Sequence, residues 1–213
     1  MNVNQVIEKY RVVPVIAIED ANAALPLADA LLEGGLPIAE ITFRTAAAAD
    51  VIDTMARMRP ELFVGAGTLL STQNVEDAIK AGAKFGVAPG CNLETVDFAM
   101  ANGFPFMPGV CTPSDIEAAL SIGCTMLKFF PAGAMGGVKM LKALYGPYKH
   151  MGVRFMPTGG VTADNLAEFL AQPGVAACGG TWIATSADIA AGNWTAIKDR
   201  CKQVAEIVAS LAK

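Results

Sequence analysis

Eight short apolar runs, each bounded by turn residues, recur about every 20 to 28 residues along this 213-residue chain. They cover residues 12–18, 38–43, 63–66, 85–88, 106–110, 126–130, 154–157 and 175–178. Most show no polar alternation, the pattern of strands covered on both faces. The stretches between them carry helical spacing: residues 23–32, then Val51, Ile52, Met55 and Met58, then Val75, Ala78 and Ile79, then Leu166, Phe169 and Leu170. Capping residues precede several of these (Thr45, Ser71, Thr112 ahead of Pro113-Ser114-Asp115, and Thr162). Glycines follow others (Gly34-Gly35, Gly82, Gly103, Gly123). Eight strand–helix alternations predict an α/β fold with a parallel sheet, and eight is the count that closes a (β/α)8 TIM barrel. Residues 1–213 are therefore expected to form a single (β/α)8 barrel domain with a short N-terminal helix, closed by a last helix over 194–211. A doubly wound open sheet is the rival. It usually carries a glycine-rich loop after its first strand, whereas this chain has Ile18-Glu19-Asp20-Ala21-Asn22 there.

Composition narrows the class. With 53% hydrophobic and 17% charged residues, the chain has the material for a buried core. A net charge of −4 gives no electrostatic footprint for nucleic acid or an anionic membrane. No apolar run reaches the roughly 18 residues of a transmembrane helix, and residues 1–10 lack the basic-then-apolar pattern of a signal peptide. The five cysteines are scattered, with no CxxC, as in a reducing cytoplasm. His150 is the only histidine, so a multi-histidine zinc site cannot be built. Its setting, Tyr148-Lys149-His150-Met151-Gly152, predicts a surface residue at a helix end.

In a barrel, functional groups come from the C-terminal ends of strands and the loops that follow. Of ten lysines, only Lys128 interrupts a buried-strand pattern, Met126-Leu127-Lys128-Phe129-Phe130. Burial disfavours an ammonium, and a neutral amine condenses with a ketone to an iminium, an electron sink for carbon–carbon cleavage. The alternative is a lysine that snorkels to the barrel mouth or pairs with a carboxylate. Glu40 is the second outlier. Alternation places Glu40, Thr42 and Arg44 on one face of their strand and Ile41 and Phe43 on the other. A carboxylate beside the amine suits general acid–base work; a structural ion pair with Lys128 or Arg44 is the other reading. Gly159-Gly160 and Gly179-Gly180 follow the seventh and eighth runs, where barrels commonly bind phosphate; tight turns needing positive φ would also use them.

The motifs, taken in order, resemble the bacterial 2-keto-3-deoxy-6-phosphogluconate (KDPG) aldolase / 4-hydroxy-2-oxoglutarate (KHG) aldolase family from about Val12 onward. They are Val13-Pro14-Val15-Ile16, Glu40-Ile41-Thr42-Phe43-Arg44-Thr45, Val64-Gly65-Ala66-Gly67-Thr68, Pro89-Gly90, Pro108-Gly109, Lys128-Phe129-Phe130-Pro131-Ala132 and Pro157-Thr158-Gly159-Gly160. The resemblance implies a class I aldolase in which Lys128 forms a Schiff base and Glu40 shuttles protons. It implies that Arg44 and Thr68 hold the pyruvate carboxylate, that Pro89 and Phe130 shape the pocket, that Thr158 binds substrate, and that Gly159, Gly160, Gly180 and Thr181 bind at the phosphate end. It also implies a small-molecule 2-keto acid substrate, no metal or other cofactor, and a homotrimer. Thr181 stands where the family leads one to expect serine, and Gly133 where many relatives carry Glu. Two other functions compete: a sugar-phosphate isomerase or epimerase with Lys128 as an electrostatic stabiliser, and a non-enzymatic barrel that senses phosphorylated ligands.

Overall fold

The computed structural model describes residues 2–211. Helix α1 (Val3–Tyr10) opens with a capping box between Asn2 and Gln5 and leads into β1 (Val12–Ile16). Then follow α2 (Ala24–Glu33), β2 (Ile38–Thr42), α3 (Ala48–Met58), β3 (Phe63–Gly67), α4 (Thr72–Lys80) and β4 (Gly86–Val87). Next come α5 (Leu93–Ala101), β5 (Phe106–Met107), β6 (Gly109–Val110), α6 (Pro113–Ser121) and β7 (Met126–Phe129). The chain continues through α7 (Gly137–Tyr148), β8 (Arg154–Pro157), α8 (Leu166–Leu170), β9 (Cys178–Gly180), α9 (Ser186–Ala190) and α10 (Trp194–Leu211). No helix among the described residues is long and apolar enough to cross a membrane.

The fold is α/β with parallel pairing throughout. A six-stranded sheet runs β5-β4-β3-β2-β1-β9, and a three-stranded sheet runs β6-β7-β8. Where the sequence predicts a ring of eight strands, the described residues form nine strands paired in two arcs. The division falls at Pro108, which separates β5 from β6 because proline has no N–H to give a ladder. The eighth strand is also displaced. Of residues 175–178, Val175 forms only an isolated bridge to Phe155, and the ladder with β1 begins at Cys178 and runs through Gly179 and Gly180.

All residues of β1 and β2 are buried, Glu40 and Thr42 of β2 included. Phe85, Phe129, Phe155, Ile16 and Ile38 are among the largest fully buried side chains, each contributing about 1.5–3 kcal/mol. Phe85 stacks on Phe63 with ring centroids 5.7 Å apart. Gly65 leaves room for it, because a Cβ there would fall 2.3 Å from the Phe85 ring. Outside the strands, α10 packs against α2, α8 and α9.

Ser71 and Thr112 cap α4 and α6 as their spacing predicts, the latter in a capping box with Asp115. Thr45 and Thr162 do not cap. Thr45 donates its hydroxyl to the Ile18 carbonyl at 2.6 Å, and α3 starts only at Ala48. Thr162 instead donates its backbone N–H to the Asn165 side chain, and α8 starts at Leu166.

Candidate active site

Parallel register brings the two outlying charges together. Glu40 on β2 lies between Val15 of β1 and Gly65 of β3, and Lys128 on β7 lies between Gly109 of β6 and Met156 of β8. Lys128 Nζ stands 3.4 Å from Glu40 Oε1, with the two side chains 5% and 0% exposed. The sequence left Glu40 a choice between Lys128 and Arg44, and the partner is Lys128. Glu40 Oε2 is buried with no hydrogen-bond partner among the described residues. An unpaired buried carboxylate oxygen is costly unless a water or a bound hydroxyl satisfies it. The Phe130 ring covers the amine, its centroid 5.3 Å from Nζ.

A residue to which the sequence assigned no role leaves room for this pair. Gly67, the last residue of β3, lies against Glu40: a Cβ there would fall 2.1 Å from Oε1 and 2.7 Å from Cδ. The available signal was a glycine inside a buried strand, which marks a close approach. Thr68 follows, half-buried, with φ of 57°, a left-handed conformation uncommon for a non-glycine residue. Pro89 lies beside the rung of Lys128, since a Cβ on Gly109 would meet the Pro89 carbonyl oxygen at 2.1 Å.

Arg44 is exposed at the rim. Its Nε donates to Thr42 Oγ1 at 3.1 Å, and the Thr42 hydroxyl donates to the Ile16 carbonyl at 2.9 Å. Among the described residues no carboxylate lies within salt-bridge distance of Arg44. Its remaining guanidinium N–H groups can therefore serve an anion. Arg44 and Thr181 line one cavity of about 340 Å³ with Val15, Ala17, Ala184, Thr185 and Ser186.

Thr158 is buried at the end of β8 and forms a bridge to Gly179, whose missing Cβ would fall 2.2 Å from Thr158 Oγ1. Gly159 and Gly160 both take φ of 84°. Gly159 also approaches Phe130, where an added Cβ would fall 3.1 Å from the ring, and this contact ties the glycine turn to the lysine strand. Gly133 donates its N–H to the Gly159 carbonyl at 2.8 Å, so it abuts the same turn. Gly180 pairs with Pro14 of β1 and packs against Trp182.

The other candidates stand apart. His150 is exposed in a turn after α7. Cys91 and Cys111 are half-buried; burial, and then the nearby Asp115 carboxylate, push both thiols up and away from the reactive thiolate. Among the described residues no group of three or more His, Cys, Asp or Glu side chains is placed to hold a metal ion.

Comparison with known proteins assigns the chain to a family. The family model for KDPG and KHG aldolases matches residues 3–200. The chain is 45% identical to the 2-dehydro-3-deoxy-phosphogluconate aldolase of Haemophilus influenzae, over 96% of this chain and 97% of that protein. It is 38% identical to the KHG/KDPG aldolase of Escherichia coli K12, over 92% and 91%. The KDPG aldolase of Legionella pneumophila, crystallised with pyruvate captured at low pH as a covalent carbinolamine intermediate, superposes with a TM-score of 0.91. Its identity is 37%, over 96% of this chain and 98% of that one. The chain belongs to the KDPG and KHG aldolase family.

Proposed function

We propose that this protein is a Schiff-base aldolase that cleaves KDPG to pyruvate and D-glyceraldehyde 3-phosphate, and KHG to pyruvate and glyoxylate. The observation that carries the reading is the sealed Lys128–Glu40 pair with one carboxylate oxygen unpartnered. The pair supplies an amine and a proton carrier within one proton transfer of each other, in a site that excludes bulk water.

The Lys128 amine attacks the C2 ketone, and Glu40, directly or through one water, protonates the carbinolamine oxygen so that water leaves and the iminium forms. Glu40, again a carboxylate, takes the C4 hydroxyl proton. The C3–C4 bonding electrons move into the iminium, and the aldehyde departs from an enamine. Protonation at C3 regenerates the iminium, and water releases pyruvate and the free amine. Arg44 and Thr68 hold the keto-acid carboxylate. Pro89 and Phe130 wall the reacting carbons. Thr158 contacts the substrate at the end of β8, and Gly159, Gly160, Gly180 and Thr181 take the phosphate through backbone N–H groups and the Thr181 hydroxyl.

The two arcs of strand act as one closed (β/α)8 barrel and the chain as one domain. This reading is supported by the continuity of β5 into β6 across Pro108 and by the bridges Phe155–Val175 and Thr158–Gly179 between β8 and the β9 segment. A homotrimeric assembly follows from the family resemblance, and a cytoplasmic setting from the scattered cysteines without a CxxC pair. The activity is tested by incubating the protein with KDPG and following pyruvate and glyceraldehyde 3-phosphate separately. The reading requires both products in equal amounts; isomerised or epimerised substrate without pyruvate would contradict it.

A further inference from the structure

The segment 180–186 carries Thr181 and forms one wall of the rim cavity, yet it has little regular structure of its own. It is tied down from outside. Arg200, on α10, donates Nε to the Ile183 carbonyl at 2.9 Å and Nη2 to Asp188 Oδ2. Asp188 in turn accepts from the Thr185 hydroxyl at 2.6 Å and from Asn193 Nδ2 at 3.3 Å, while its backbone N–H returns to Thr185 Oγ1 at 3.2 Å. At the far end, Ser186 Oγ donates to the Ala17 carbonyl at 3.2 Å. Arg200 and Asp188 are only 28% and 18% exposed, and neither lines the cavity.

We propose that Arg200 and Asp188 are positioning residues that hold the 180–186 segment at the geometry its phosphate contacts require. The inference rests on the phosphate-end reading of Thr181 given above. Arg200 grips a backbone carbonyl and a carboxylate with one planar fork, two fixed bonds that a flexible ammonium cannot reproduce together. Asp188 relays that grip to Thr185, so the segment is held both at Ile183 and at Thr185. Loosening it by about 1 Å misplaces Thr181 and the Gly180 backbone relative to the phosphate. It leaves the Lys128–Glu40 pair, which sits on other strands, unchanged.

The test compares Arg200→Gln, Arg200→Lys and Asp188→Asn with the parent protein on phosphorylated KDPG and unphosphorylated KHG, with inorganic phosphate as competitor. Arg200→Gln and Asp188→Asn should raise KM for KDPG about tenfold and weaken phosphate inhibition by a similar factor, with kcat unchanged. Arg200→Lys should fall between them and the parent. Both constants for KHG should stay within about twofold of the parent. Asp188→Asn keeps the test open should Arg200→Gln not fold, because it leaves the Arg200–Ile183 bond in place. Equal losses on both substrates would mean a purely structural role and overturn the proposal, as would no loss on either. If phosphate does not compete in the parent protein, the phosphate-end reading fails, and this inference with it.

Discussion

The sealed centre and the open rim of this site are built on opposite principles. At the centre, Glu40 and Lys128 project from the middle of fully paired strands and are all but removed from solvent. At the rim, Arg44 and Thr181 are exposed and border loops. The difference follows from the tasks. Proton transfer and iminium chemistry gain from fixed geometry and the absence of water, because fixed dipoles act more strongly where dielectric screening is low. Capture of a charged substrate needs groups that meet it in water and give up few bonds of their own, and Arg44 with no carboxylate partner among the described residues is such a group. Substitutions at the centre should therefore lower kcat, and substitutions at the rim should raise KM.

The largest effect belongs to Lys128→Met, which keeps the apolar stem and deletes the nucleophile; kcat for KDPG should fall by at least about 10⁴-fold in a pyruvate-release assay. Glu40→Gln retains shape but cannot carry the proton, and a loss of about 10³-fold in kcat with KM nearly constant is expected from steady-state kinetics. Gly67→Ala probes the same centre without touching a reacting group. Its new methyl would fall 2.1 Å from Oε1, so Glu40 must swing away, and kcat should drop about 10²-fold while the protein remains folded by circular dichroism. A Gly67→Ala protein with unchanged kcat would break the claim that the centre depends on fixed geometry.

At the rim, Arg44→Met should raise KM about tenfold or more for both KDPG and KHG, since it removes charge-assisted bonds to the carboxylate they share. A fall in kcat alone would move Arg44 from the rim to the centre. The smallest effect is expected of Thr181→Ser, which keeps the hydroxyl and removes one methyl group. KM for KDPG should change by no more than about threefold.

Those two regions also differed in how far the sequence revealed them. A charged residue inside an apolar strand is conspicuous, so Lys128 and Glu40 could be named, and strand alternation put Thr42 and Arg44 on the face of Glu40. The sequence did not tell which cation Glu40 meets, because register across a curled sheet is set by strands far apart in the chain. The last strand was misplaced for a related reason. Its ladder runs through Gly179 and Gly180, which carry no side chain because Thr158 and Trp182 occupy that space, and a hydrophobicity pattern cannot register glycine. The apolar residues just before it drew the expectation toward the N-terminal side. Thr45 has the residue type of a cap, but its hydroxyl is engaged by a carbonyl on the β1 side of the mouth. Arg200 gave no signal at all, since its contacts with Ile183 and Asp188 bring together separate turns of chain through the packing of α10.

The most direct measurement is borohydride reduction in the presence of pyruvate, followed by peptide mass mapping. The account predicts a single reduced pyruvate adduct, on the peptide containing Lys128 and absent from Lys128→Met. An unmodified Lys128 in folded protein that still releases pyruvate from KDPG, or an adduct on another lysine, would contradict it.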